Sequence, residues 1–495
     1  MNGRFGRVDY GPFSMKIWTF TAQLVPGPLA SAWLSGSILA LGMPVAALAQ
    51  TAALPAPSQT PLKIDPNQDP ILELGRTVGS GEDFKRLVSA AVDRHPAIAE
   101  AEAQIAQGRA VRAETRAGLY PTADATITSY KVIDRSFGSA GLTNVVERTR
   151  PTSQTDALLS VNQLAFDGGA TFRRVSAANA RIRAASDGVD DVSTKVALNT
   201  IGAWYDVYTF RMLVVLTEQF RKDQLKRRED LLDRISQGVS AEADVARLDS
   251  AVASIDTRLA TYRRQLANAE AQFQELTGTP APASIYRSPA LGTGPASLDE
   301  ARNAADDVPA VRAAVEQARA ARYERRAAKA DAFPVVGVSI DSGRYGVFET
   351  DRDYDIRARV TARMRLGGAG IAREDQAVAR ETAAQARAAT VREEAARDAA
   401  IAFSDVNALE DQLRALQSSY IASRQSRDTI AERFRVTRGA LTDVLDVNDS
   451  YFSAAATYVN TLADRDAAHY VLLARTGRLL DALGIEPAKQ AFRIK

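Results

Sequence analysis

From Tyr354 to Leu366 the chain alternates without error. Tyr354, Ile356, Ala358, Val360, Ala362, Met364 and Leu366 fall on one side, and Asp355, Arg357, Arg359, Thr361, Arg363 and Arg365 on the other. Successive side chains of a strand point to opposite faces, so one face meets something apolar and the other meets water. At ~3.3 Å per residue this run extends about 40 Å, and a tilt near ~40° still leaves about 30 Å of height, enough to cross an outer membrane. An edge strand of a soluble sheet carries the same pattern, and for this strand taken alone it is the better reading. The neighbouring alternation at Ala157, Leu159 and Val161 is weaker, and that after Pro121 is poorer still.

Elsewhere the period is helical. Leu198, Ile201, Tyr205, Tyr208, Met212 and Val215 recur at alternating spacings of three and four, a coiled-coil seam. The whole pattern occurs twice. His95-Pro96-Ala97 returns as Val308-Pro309-Ala310 and Leu119-Tyr120-Pro121 as Ala332-Phe333-Pro334, at one fixed separation. At a second, shorter separation, Gly168-Gly169 returns as Gly367-Gly368, Trp204-Tyr205-Asp206-Val207 as Phe403-Ser404-Asp405-Val406, Asp244-Val245 as Asp443-Val444, and Thr277-Gly278 as Thr476-Gly477. The first copy therefore carries the longer loop, around Phe137 to Arg150.

Such a duplication predicts one unit used twice. Repeat 1 spans 83–278 and repeat 2 spans 298–484. In each, a helix (84–118, then 298–331) stops at an aromatic-Pro pair, because proline disfavours helix at the residue before it. A β-hairpin follows (121–167, then 334–366), then a very long helix (170–236, then 369–436). After a break near Gly238 or Gly439 a helix returns (241–277, then 441–482). The long helices make rods of roughly 100 Å. Residues 50–82 read as a flexible N-terminal linker, 279–297 as a second linker and 485–495 as a loose tail.

Composition removes most chemistry. The chain has 495 residues, 62 Lys plus Arg against 60 Asp plus Glu, two His and no Cys. A net charge of +2 with interspersed signs gives no footprint for nucleic acid. Without cysteine there is no disulfide, thiol nucleophile or Cys-bound metal, and His95 and His469 have no ligand set around them. No metal, no cofactor and no enzymatic activity are expected. Residues 29–49 form a charge-free apolar stretch ending in Ala47-Leu48-Ala49, with Arg4, Arg7 and Lys16 before it. This reads as a signal peptide (1–49) cleaved before Gln50, with Met1 or Met15 as the start; an uncleaved anchor is the alternative.

Closing the sheet sets the oligomer. Two copies give four strands per chain, whereas membrane barrels need closure and at least ~8 strands. Two chains would enclose a filled interior and three an open polar lumen, which better hydrates Arg357, Arg359, Arg363 and Arg365.

The chain is similar to the TolC family of outer-membrane efflux and type I secretion channels over about residues 80 to 484. The resemblance rests on Ala117-Gly118-Leu119-Tyr120-Pro121, Leu164-Ala165-Phe166-Asp167-Gly168-Gly169, Arg234-Ile235-Ser236-Gln237-Gly238-Val239-Ser240, and Arg433-Phe434-Arg435 through Asp443-Val444-Leu445-Asp446-Val447. It implies an α+β membrane protein, a homotrimer whose twelve-stranded outer-membrane β-barrel, contacting outer-membrane lipid, continues into a long periplasmic α-helical barrel. It further implies a passive duct opened at its tips by a periplasmic adaptor (membrane fusion) protein and an inner-membrane ABC or RND transporter.

Residue by residue, the resemblance puts adaptor docking on Gly238, Val239 and Ser240, with Gly439 in the second tip, where Thr437 stands in place of the usual glycine. Phe434 stands where an aromatic latch is usual. Asp443 and Asp446, at i and i+3 on one helix face, match an inward cation-selective ring; solvated surface charge near a helix N-terminus is the plainer reading. Asp244 is expected to contact Arg435 or Arg438. A periplasmic adaptor would show one hairpin between small β-domains, and a soluble coiled-coil scaffold would show no such strand. Cargo stays open between protein and small molecules, with the acidic run Asp351 to Asp355 leaning toward secretion.

Overall fold

The computed structural model describes residues 53–58, 60–61, 64–136, 149–237, 242–288, 291–349, 353–365, 367–436 and 439–486. The signal-peptide region, most of the Phe137 to Arg150 loop, Leu366 and the tail from Pro487 lie outside these residues.

In chain order the elements are α1 (Pro70–Glu73), α2 (Gly81–Arg94), α3 (Pro96–Ala117), β1 (Thr122–Lys131), β2 (Ser153–Phe166), α4 (Ala170–Ser236) and α5 (Glu242–Thr277). The second half adds α6 (Leu298–Ala304), α7 (Pro309–Ala330), β3 (Val335–Arg344), β4 (Tyr354–Arg363), α8 (Gly368–Arg435), α9 (Leu441–Arg475) and α10 (Leu479–Leu483). The long helices α4 and α8 hold 67 and 68 residues. α3 and α7 pack along their sheet-proximal halves, and α5 and α9 along the tip-proximal halves.

Several element bounds differ from those expected. The first helix of each repeat is two helices, because His95 and Val308 take extended ψ angles of 129° and 132° just before Pro96 and Pro309. The prolines thus start helices, at a first turn that needs no N–H donor. The returning helix of repeat 2 likewise breaks at Thr476-Gly477 into α9 and α10. β4 ends at Arg363, so Met364 and Arg365 lie beyond the ladder.

The linkers are not loose. Ile71, Leu72 and Leu74 are buried in the main core, and Asp69 is fully buried, capping α1 by accepting from the Ile71 and Leu72 amides at 2.8 and 3.1 Å. In 279–297, Ile285, Arg287 and Ser288 are buried. These segments close over an aromatic core centred on Trp204. Its ring lies 5.4 Å from Phe84, 6.2 Å from Phe273 and 5.6 Å from Tyr286, and its indole donates to the Tyr286 carbonyl at 2.8 Å. The seam Ile201, Tyr205, Tyr208 and Met212 is buried as well, but Val215 is exposed and the buried face continues through Leu216 and Phe220.

The duplicated Thr-Gly pairs have one geometric cause. Gly278 and Gly477 both adopt left-handed φ, +72° and +70°. A Cβ at Gly278 would meet the movable end of Arg94, whereas at Gly477 it would stand 3.0 Å from the Asp307 carbonyl oxygen, which is backbone. Gly477→Ala is therefore expected to lower stability by about 1–3 kcal/mol, and by more than Gly278→Ala, measured as thermal unfolding midpoints in detergent.

Candidate functional site

The four strands form one antiparallel sheet ordered β1-β2-β3-β4. Its register sorts side chains by face. Val161 pairs with Ala123 and Ile340, Ile340 with Ala358, and Val338 with Val360, so one face carries Ala125, Ile127, Leu159, Val161, Val338, Ile340, Ile356 and Val360. Ile127, Ile356 and Val360 are 77%, 66% and 72% exposed, so a broad apolar face has no cover within the chain. Phe166, Phe172, Phe333 and Tyr120 are exposed at its helix-proximal end, and Phe348 and Tyr354 at the far end. Aromatics at both margins of an apolar band suit two lipid–water interfaces.

The opposite face is polar and internally bonded. Ser160 donates to Asp341 at 2.8 Å, Arg359 pairs with Asp341 at 3.2 Å, and Arg357 pairs with Asp355. The register sets Arg357 opposite Asp341, Arg359 opposite Ser339 and Arg363 opposite Val335, which places these three arginines together on this face. The outer edges of β1 and β4 pair with nothing among the described residues. In a lone chain such edges invite further strands. Among the described residues no helix is long and apolar enough to cross a membrane, and no group of His, Asp and Glu could hold a metal ion.

At the other end the two helical turns meet. Buried Leu231, Leu248 and Leu441 pack with Ile235, Val245, Phe434 and Leu445. The Arg234 guanidinium lies 4.6 Å from the Phe434 ring centroid and reaches the Phe434 carbonyl at 3.4 Å. Phe434 therefore joins α4 to α8 within one protomer. A Cβ at Gly439 would meet Phe434 only at ordinary contact distance, 3.5 Å, so nothing steric demands glycine there. Asp443 and Asp446 are exposed on one side of α9 while Leu441 and Val444 turn inward, and neither carboxylate bonds to a described residue.

The expected Asp244–Arg435 contact is absent. Asp244 pairs with Arg247 at 3.4 Å and Arg435 with Glu432 at 2.7 Å, each three residues along its own helix. A partner on the same face costs less side-chain ordering than one across the turn. Gly238, Val239, Ser240 and Arg438 lie outside the described residues.

Sequence reading missed a buried polar network above the tips. Tyr420 donates to Asp69 at 3.0 Å and sits 3.0 Å from the Tyr451 hydroxyl, and Arg424 also pairs with Asp69. Burial, reinforced by Tyr451 and Asp69, pushes the Tyr420 hydroxyl far up, so it stays a proton donor. Arg427 pairs with its neighbour Asp428 and stacks 4.2 Å over the Tyr451 ring. Consecutive Arg and Asp on a helix read as solvated surface; here both are buried, with the Pro55 and Ala56 carbonyls and the Tyr451 ring against Arg427.

The outer membrane efflux protein family matches residues 87–279 and 301–478. The chain is 22% identical over 338 residues to the outer membrane efflux protein BepC of Brucella suis biovar 1 (strain 1330), spanning 67% of this chain and 74% of that protein. Its fold is similar to that of CusC (TM-score 0.69, 16% identity, 83% of this chain and 94% of the other). It is also similar to the CmeC outer membrane channel of Campylobacter jejuni (TM-score 0.68, 13% identity, 80% and 86%). The TolC-type resemblance is thus supported and the adaptor alternative is not. With both repeats matched, the chain belongs to the outer membrane efflux protein family and is an outer-membrane exit duct for efflux or secretion.

Proposed function

We propose that three copies close into one twelve-stranded barrel that continues as a helical tunnel across the periplasm, a passive conduit without catalytic chemistry. The observation that carries this reading is the four-stranded sheet with an uncovered apolar face, a bonded polar face and two open edges. The ten residues of β1, β3 and β4, at ~3.3 Å each and tilted by ~40°, match the roughly 25 Å apolar band of such barrels, and the fourteen of β2 exceed it. The apolar face meets lipid, and Arg357, Arg359 and Arg363 face the lumen, with Arg365 at its periplasmic rim. Most of α8 is exposed in the single chain, including Ile371, Val378 and Ile401, which gives neighbouring copies a surface to cover. The matched family and BepC are both described by efflux, so small molecules take precedence over exported protein as cargo.

In this reading a periplasmic adaptor docks at Gly238, Val239, Ser240 and Gly439, and an inner-membrane ABC or RND transporter drives export. Asp443 and Asp446 from three copies ring the entrance, where carboxylates favour cations. The purified protein should be a trimer in mild detergent and conduct in planar bilayers; a monomer, or no channels, overturns the duct assembly. Asp443→Ala with Asp446→Ala should lower cation over anion permeability severalfold, read from reversal potentials in a salt gradient. Unchanged selectivity overturns the ring.

A further inference from the structure

The segment ahead of α1 is held at the tips by contacts unrelated to barrel or tunnel. Leu54 is buried in the main core cluster. The Pro55 and Ala56 carbonyls accept from the two terminal nitrogens of Arg427, at 2.8 and 3.4 Å. Pro57 and Ser58 then line a cavity of about 330 Å³ whose other walls include Leu231 and Arg234 of α4, Phe434 of α8 and Leu441 of α9. Further along, Asp69 is fixed to α8 through Tyr420 and Arg424. The segment is therefore bonded to the second helical hairpin of the protomer and faces the first across this cavity.

We infer that residues 53–58 form a strap that holds these hairpins together, and that the strap must leave the cleft when the duct opens. This rests on the reading that the duct opens at its tips. Hairpins joined by Leu231, Leu441 and the Arg234–Phe434 contact enclose a segment that is anchored on Arg427, buried in the main core at Leu54 and opposite α4 across the cavity, so their separation must displace it. The closed arrangement is also poised to release. Asp428 is fully buried on the cavity wall with Oδ2 lacking a hydrogen-bond partner, and Arg227 Nε, on the same wall, lacks one too. Strap departure admits water to both groups, and their hydration offsets part of the cost of breaking the Arg427 hydrogen bonds. An arginine donating to main-chain carbonyls asks nothing of the strap's side chains, so backbone position alone decides engagement.

Two experiments test this on the full mature trimer. Deleting residues 53–58 leaves the Arg427–Asp428 pair intact. Loss of a charge-assisted hydrogen bond and its packing should raise the open fraction in planar bilayers by about tenfold. Because the chain has no cysteine, Ser58→Cys with Asp230→Cys offers a unique thiol pair on two walls of the cavity. In the native host, a short bifunctional maleimide should abolish dye efflux for the double variant and spare both single variants. A deletion variant that is trimeric and gates like the parent overturns the strap, as does undiminished efflux from fully cross-linked protein. If the deletion prevents assembly, the cross-link decides. A parent protein that conducts nothing overturns the duct reading and the strap with it.

Discussion

Replacing Asp466 with alanine lowers stability by about 3–5 kcal/mol, the range for breaking a buried ion pair from one side. Arg287 and Asp466 keep only 4% and 9% of their side-chain surface exposed. Two parallel bonds join them, at 2.6 and 3.0 Å, and Arg287 donates a third to the Leu74 carbonyl at 2.6 Å. Burial opposes the Arg287 charge most strongly, but the hydrogen bonds and the charge of Asp466, with smaller help from Tyr208 and Tyr205, together hold its pKa above the ordinary value. Without the carboxylate, a cation that cannot lose its proton is left in a pocket walled by Tyr205 and Tyr208. Arg465, which also bonds Asp466 at 2.8 Å, is more exposed and can turn to water. Asp466→Leu with Arg287→Met should cost less than Asp466→Ala, since no charge remains buried. Chemical unfolding of detergent-solubilised protein measures both; equal losses would show that the pair's charge is not what the pocket depends on.

Trp204→Ala should cost a further large amount, about 3–5 kcal/mol for a truncated core aromatic. Trp204 is 2% exposed and touches α2 through Phe84, α5 through Phe273 and the segment after α5 through Tyr286. Its loss opens a cavity where these three pieces meet and leaves the Tyr286 carbonyl without its indole donor. Trp204→Phe keeps much of the volume and removes the donor, so it should fall between parent and alanine. Tyr286 precedes Arg287 in the chain, so the Trp204 and Asp466 substitutions share a wall and should not add independently. The checks are the unfolding midpoint and the yield of assembled protein; a wild-type midpoint for Trp204→Ala would remove Trp204 from the core's supports.

The strands were legible because alternation is a local property. Tyr354 to Arg363 reports its two faces whatever lies opposite, and pairing with β3 only adds partners such as Asp341 for Arg359. Tip charges are legible as exposed carboxylates at Asp443 and Asp446, yet Asp244 pairs with Arg247 and not with Arg435, because charge alone cannot choose between a partner three residues away and one across a turn. Phe434 was marked by motif alone; its stacking on Arg234 joins positions 200 residues apart, a separation no local period encodes.

By itself the sequence determined the repeated order of helix, strand pair, long helix and returning helix, the two-faced sheet, and membership of a channel family. The repeated order and the two-faced sheet follow from periods of 2 and about 3.6 residues and from proline and glycine punctuation, which act within a few residues, whereas the family rests on the motifs between Ala117 and Val447 that resemble it. Tertiary structure alone decided that the Pro- and Ala-rich N-terminal segment is ordered. Its apolar residues Leu54, Ile71, Leu72 and Leu74 have no period, and its one carboxylate at the start of α1, Asp69, is stable in the interior only because Tyr420 and Arg424 arrive from more than 350 residues away. Burial of a charge is a property of the completed fold, since the same group is at no cost in water and tolerable inside only when its partners are already in place.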